Sequence, residues 1–158
     1  MPSAVCDSTV LISAFLAQRG VSHELLRHAR AGAFSLFLSE EMLHEALGVL
    51  LDEERRHRQR YHYPDEAAIN FIDGLRIFAH LVTDLPQVIA VIRDPDDGMV
   101  IATAQRALAT YIVTRDKDLL SLQSYEGVTM ITPEAFIAIV RDQEVRRRAG
   151  TGEAGEKP

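Results

Sequence analysis

The stretch RDPDDGMVIATA, Arg93 to Ala104, sets three carboxylates within four positions, Asp94, Asp96 and Asp97, directly ahead of an apolar helical run. One aspartate is enough to cap a helix, and it collects most of the roughly 0.3–1 kcal/mol that negative charge gains at a helix N-terminus. The second and third acids repel the first, so the crowding needs a further partner. Hard divalent cations such as Mg2+ or Mn2+ are partners of that kind, because they prefer oxygen ligands and keep several waters.

Acids of the same type follow two segments that read as strands. Asp7 comes after Val5-Cys6, and Asp116 comes after Tyr111-Ile112-Val113 by way of Thr114-Arg115. Glu45 lies inside a predicted helix, one turn from Glu41, and reaches the same space if it points inward. Asp7, Glu45, Asp97 and Asp116 are separated by 38, 52 and 19 residues. They make a site only if the fold gathers them. At ~4 Å and an effective dielectric of 20, each like pair costs about 4 kcal/mol. Divalent ions remove that cost, and two of them ~3.5–4 Å apart activate a water and stabilise the leaving oxygen of a phosphodiester.

The elements that must do the gathering alternate between strand and helix. Ser3 to Cys6 reads as a buried strand, followed by helices over Val10 to Ala17 and Ser22 to Ala31, the latter with Ser22 as N-cap and Gly32 as stop. Phe34 to Leu38 is a second strand, after which Ser39 caps a long helix carrying Leu43, Leu47 and Leu50. That helix runs into a charged stretch, Asp52 to Arg60, without apolar residues. Pro64 opens a helix to about Phe78, and Leu81 to Thr83 is a short strand. A helix begins near Met99 and ends at Leu108. Strand Tyr111–Val113, a short helix over Lys117 to Gln123, strand Val128–Ile131 and a helix from Pro133 to about Gln143 complete the domain. From Glu144 the chain is polar and reads as a disordered tail. The expected units are therefore a domain over residues 1–143 and a tail over 144–158. Alternation of this kind implies parallel strands with helices on both faces, and ligands bind beyond the carboxyl ends of such strands at a topological switch point.

Composition narrows the function classes. The 158 residues are 47 % apolar and 25 % charged, enough for one domain with a real core. A net charge of −6 argues against broad adhesion to nucleic acid, although a metal-binding acid cluster inflates that total. No apolar run approaches the ~20 residues that span a bilayer, and no signal peptide is expected. The single cysteine, Cys6, excludes an internal disulfide and fits a reducing cytoplasm.

Taken together, the segments resemble the PIN-domain family of metal-dependent ribonucleases, including toxins of the VapC type. VCDSTVLISAFL is similar to the family's opening strand, acid and helix. LSEEMLHEALGVL is similar to the helix bearing the second acid, which falls on Glu45. RDPDDGMVIATA and YIVTRDKDLLSL resemble the third and fourth motifs, with acids at Asp97 and Asp116, and GVTMITPEAFI resembles the closing strand and helix. Positions 3 to 140 are covered. The sequence departs at the first motif, where Asp7-Ser8-Thr9 stands for the frequent Asp-Thr-Asn.

The resemblance implies a three-layer α/β/α fold with a central, mainly parallel sheet of about five strands. It implies hydrolysis of RNA by a metal-activated water, with Mg2+ or Mn2+ held by Asp7, Asp97 and Asp116. Glu45 would complete the catalytic set, with Asp94, Thr9, Thr114 and Asp118 supporting it. A small antitoxin is an implied partner, and a homodimer is equally compatible.

Further readings come from the residues themselves. Arg55, Arg56, Arg58 and Arg60, followed by Tyr61 and Tyr63, form either a solvated helix end or an arm for phosphates and bases. Arg115 is a further candidate contact to phosphate or to an antitoxin carboxylate. Asp96 is expected to face solvent, and His44 is read as a surface residue, because no second histidine stands at a zinc spacing. A PIN scaffold without activity, binding RNA or protein, remains the alternative function. A nucleotide-handling domain lacks the glycine-rich loop it would need after the first strand.

Overall fold

The computed structural model describes residues 1–88 and 94–153, with side chains described to Thr151. The chain runs β1 (Ser3–Cys6), α1 (Ser8–Leu16), α2 (Val21–Arg30), β2 (Ser35–Ser39), α3 (Glu40–Leu51), α4 (Glu53–Gln59) and α5 (Asp65–Phe78). It continues β3 (His80–Val82), α6 (Pro95–Ala107), β4 (Tyr111–Val113), α7 (Lys117–Ser121), β5 (Ser124–Tyr125), β6 (Val128–Ile131) and α8 (Pro133–Glu153).

The six strands form one sheet in the order β3-β2-β1-β4-β6-β5, and only the β5–β6 pair is antiparallel. Ala4, Val5, Cys6, Ile112 and Val113 are fully buried, as expected of central parallel strands covered on both faces. α6 packs across β1 to β4, while α1 packs on α2 and α3, α2 on α8, and α3 on α5. An edge-to-face stack of Phe34 on Phe136, with centroids 4.9 Å apart, closes the core between β2 and α8.

Local signals set most helix ends. Ser39 accepts the Met42 N–H at 3.4 Å, and the chain turns after α2 through Gly32 at φ +82°, where the Ala33 N–H returns to the His28 carbonyl. Four expectations need correction. α2 begins at Val21 with Gly20 as N-cap, so Ser22 lies inside the first turn and caps nothing. α6 starts at Pro95 rather than near Met99, because Asp94 caps it and proline occupies its first turn. The charged stretch after α3 is a separate helix, α4, capped by Asp52. The last helix does not end near Gln143: α8 continues to Glu153, and Glu144 contacts His28 of α2 at 3.5 Å. Residues 154–158 of the expected tail lie outside the described residues.

Ser22 is 1 % exposed and its hydroxyl oxygen has no hydrogen-bond partner among the described residues. An unpaired buried hydroxyl is unfavourable, and alanine is the better helix former. Ser22→Ala is therefore expected to stabilise the protein by about 1 kcal/mol, read as a higher urea midpoint at unchanged m-value. A loss of stability would mean that the hydroxyl is satisfied.

Candidate metal and active site

β1 stands at the middle of the sheet. The chain builds outward from it to β2 and β3, then crosses to build β4, β6 and β5 on the other side. The strand order therefore reverses between β1 and β4, and the carboxyl ends of these two strands face the crevice where α/β sheets bind ligands. The register pairs Cys6 with Val113, so the next residues of the two strands, Asp7 and Thr114, emerge side by side.

Asp7 is 3 % exposed and densely bonded. Its Oδ1 accepts the Thr9 hydroxyl at 2.6 Å and the Val10 N–H at 3.2 Å, and its Oδ2 accepts the Thr114 hydroxyl. Thr9 also accepts the Arg115 N–H at 3.3 Å, and the Thr114 hydroxyl accepts the Asp116 N–H at 2.9 Å. The two threonines thereby tie the loop after β1 to the loop after β4. Thr9, which stands where an asparagine is frequent, holds both loops with one hydroxyl. Burial still raises the Asp7 pKa, against the pull of these hydrogen bonds.

The third motif separates into distinct roles. Asp94 is the N-cap of α6, its Oδ1 accepting the Asp96 N–H at 2.9 Å. Asp96 is exposed at the rim of the cleft. Asp97 is only 8 % exposed, and its carboxylate accepts no hydrogen bond from a described residue. Burial, followed by the charges of Asp116, Asp94, Asp7 and Asp118, pushes its pKa up to about 6. Asp116 caps α7 through the Asp118 N–H at 2.8 Å. One carboxylate oxygen from each of Asp97, Asp116 and Asp118 lies within 4.8 Å of the others.

Glu45 projects from α3 into the same space. It is partly buried, and its pKa is raised by that burial and by Asp96, Asp7 and Asp94, while the neighbouring Ser8 hydroxyl opposes the rise. Asp7, Glu45, Asp94, Asp96, Asp97 and Asp116 line one open cleft of about 700 Å³. Ser8 and Gln59 also line it. Neither was singled out from sequence, and for Ser8 the available signal was its place directly after the first acid. His44 is exposed on α3.

The basic residues divide. Arg55 is exposed and lines the cleft. Arg56 lines the cleft as well, but its guanidinium is engaged within the protein: it donates to the Tyr63 carbonyl at 3.0 Å, to the Leu51 carbonyl at 3.3 Å and to Asp65, and lies over the Tyr63 ring. Arg58 is on the surface of α4 and pairs with Glu54 at 3.6 Å. Arg60 closes α4 in the left-handed conformation at φ 57°. Arg115 pairs with Glu134 at 2.7 Å. The sequence places these arginines together, whereas the folded chain sends only some of them toward the acids.

Comparison with known proteins gives three results. A family model described as PIN domain matches residues 3–118. No curated protein matches the sequence. Among solved structures, a chain of the crystal structure of VapBC2 from Rickettsia felis bound to a DNA fragment from their promoter is similar in fold, with a TM-score of 0.56 at 11 % identity. That alignment covers 82 % of this chain and 98 % of the other.

Proposed function

The chain belongs to the PIN-domain family, and from that premise we propose that it is a metal-dependent endoribonuclease acting as the toxin of a toxin–antitoxin pair. The observation that carries this reading is the carboxylate cluster in the cleft, where one oxygen from each of Asp97, Asp116 and Asp118 lies within 4.8 Å of the others and the Asp97 pKa is pushed up to about 6. Like charges this close repel one another, and a cation among them relieves that repulsion.

The donor set fits Mg2+ or Mn2+: it is all oxygen, carboxylate-rich and open to solvent. Asp97, Asp116 and Asp118 stand close enough to share an ion; Asp7, expected as the third ligand, would stand beside it with both oxygens engaged by Thr9, Val10 and Thr114, and Asp94 caps α6 nearby. When bound, the metal supplies Lewis-acid stabilisation of the charge that develops on the phosphate and a lowered water pKa. The remaining work falls to the chain itself. Thr9 and Thr114 fix the Asp7 carboxylate in one orientation. Glu45, whose partly desolvated carboxyl holds a proton more firmly than usual, orients the attacking water and receives its proton.

A small antitoxin protein is the proposed partner, supported by the similarity to a chain of a VapBC2 structure, and self-association of the toxin is the proposed assembly. None of the described helices is long and apolar enough to cross a membrane, and Cys6 is a buried free thiol, which supports a cytoplasmic setting.

Calorimetric titration with Mn2+, run beside an RNA-cleavage assay, tests the reading. Heat of binding and cleavage that appears with Mg2+ or Mn2+ and vanishes in EDTA are expected. A protein that neither binds Mn2+ nor cuts RNA would be a silent scaffold.

A further inference from the structure

We infer that Tyr61 and Arg55 form a nucleotide subsite in the cleft that the acids also line, where Tyr61 stacks on one unpaired base of an RNA strand and Arg55 holds a phosphate. The inference rests on the nuclease reading for its polymer and adds the residues of this chain that would hold the strand beside the acids.

The acids of the cleft repel a polyanion, and the chain as a whole carries a net charge of −6. Productive binding therefore needs a fixed cation on the path of the strand. Arg55 is the candidate by elimination: Arg56, Arg58 and Arg115 are each paired with a carboxylate, and Arg60 does not line the cleft. Among the described residues Arg55 has no ion pair, its backbone N–H alone being engaged, by Asp52 at 3.2 Å.

The two tyrosines differ in the same way. Tyr63 is a structural anchor: its hydroxyl donates to the Leu50 carbonyl at 2.7 Å, its ring meets Phe15 edge-on, and Arg56 covers a face. Tyr61 is 42 % exposed and contacts the cleft without such ties. Its backbone is nevertheless fixed. The left-handed turn at Arg60 sends the Tyr61 N–H back to the Arg56 carbonyl at 3.2 Å, which closes α4. The ring is therefore an exposed aromatic on a defined mount, the form that single-strand platforms take.

Ile12, Leu16 and Val49 also line the cleft. An apolar wall suits a sugar or a base edge better than a second charge. In an A-form duplex the base faces are covered by their neighbours, so a base must leave the stack to meet a tyrosine.

Fluorescence anisotropy tests this with a labelled single-stranded RNA oligonucleotide and its annealed duplex. The full chain carries Asp97→Asn to prevent turnover, and a parallel assay follows cleavage by the unsubstituted protein in Mn2+. Tyr61→Ala is expected to weaken single-strand binding by about tenfold, with Tyr61→Phe close to the parent and duplex binding unchanged. Arg55→Ala should make the dependence of log affinity on log salt shallower by about 0.7. Unchanged melting temperatures will exclude misfolding as the cause. Single-strand affinity that survives Tyr61→Ala, a Tyr61→Phe variant as weak as the alanine, or absence of RNA binding would each overturn the subsite. If RNA is cleaved but Tyr61 is indifferent, the subsite fails alone and the ring is left to a protein partner. If binding depends on Tyr61 but no cleavage occurs in Mn2+, the subsite stands and the nuclease reading fails.

Discussion

Asp97→Asn is expected to slow RNA cleavage by about a hundredfold or more and, in the absence of metal, to raise the melting temperature. The two effects have one cause. Asp97 is 8 % exposed, faces the charges of Asp116, Asp94, Asp7 and Asp118, and its pKa is pushed up to about 6. At pH 7.5 it is ionised in a place that disfavours the charge. Asparagine has nearly the same shape and no charge, so the substitution removes the repulsion. Against this stands the favourable interaction of an acid in the first turn of α6, roughly 0.3–1 kcal/mol. A midpoint displaced from 3.8 to about 6 corresponds to at most roughly 3 kcal/mol against the charged form, which solvent in the open cleft around it screens down. The unfavourable side wins even after a large discount, and a gain of several degrees follows. Catalysis runs the other way. A lost cation ligand removes about 3 kcal/mol of charge stabilisation in the transition state, roughly a hundredfold or more in rate. Cleavage assays with Mn2+ and thermal melts in EDTA read the two halves. A variant that loses stability together with activity would mark Asp97 as a structural residue, and a variant that keeps its activity would remove it from the site.

Part of this candidate site is legible in the sequence because it holds more acids than the fold needs. Asp94, Asp96 and Asp97 exceed what one helix start needs, and the fold resolves the excess by giving the cap to Asp94 and the buried place to Asp97. Asp7 and Thr114-Arg115-Asp116 are readable because each directly follows a short apolar strand, and parallel strands deliver their carboxyl ends to one edge. Glu45 carries no such local sign. Only the register of α3 against α6 and the sheet turns it inward, and the family pattern supplied that expectation. Other details depend on tertiary balance. Ser22 has the chemistry of a cap, but the chain enters α2 from an extended Gly20, whose carbonyl takes the Glu24 N–H. The β5–β6 hairpin turns through Glu126 and Gly127, both at positive φ, and its first strand is two residues long, too short to leave a periodic signal. The polar stretch after Gln143 reads as unstructured because it lacks an apolar face. It is helical as the continuation of α8, whose preceding turns are anchored by Phe136, Ile137 and Val140. The run of arginines is the least legible feature: Arg55 and Arg56 are chemically equal in the sequence and both line the cleft, but only Arg56 is tied to the Tyr63 and Leu51 carbonyls and to Asp65.

The metal-free protein is also expected to lose stability as the pH rises from about 4 to 7, the reverse of ordinary acid denaturation. Burial raises the pKa values of Asp97, Asp7 and Glu45, and the cluster's charges add to the effect. Each therefore binds its proton more tightly in the folded state than in the unfolded chain. Between the ordinary carboxylate range and pH 6 the folded state holds more protons, so the stability slope with pH is negative. Glu24, Glu40 and Glu134 have lowered pKa values through their arginine partners and act in the opposite sense, but these are exposed pairs of small worth. The cluster should dominate. Saturating Mn2+ inverts the trend, because the ion competes with protons for the same oxygens. At a hundredfold excess over Kd it adds about 2.7 kcal/mol, fully at pH 7.5 and much less at pH 5. Melting curves at these two pH values, with Mn2+ and with EDTA, give four temperatures. The metal-free value should be higher at pH 5 and the metal-induced rise larger at pH 7.5. Asp97→Asn should flatten the metal-free difference. A metal-free protein that gains stability on going from pH 5 to 7.5 would show that these carboxylates are accommodated as ions without a cation, and the physical reason for placing metal among them would be gone.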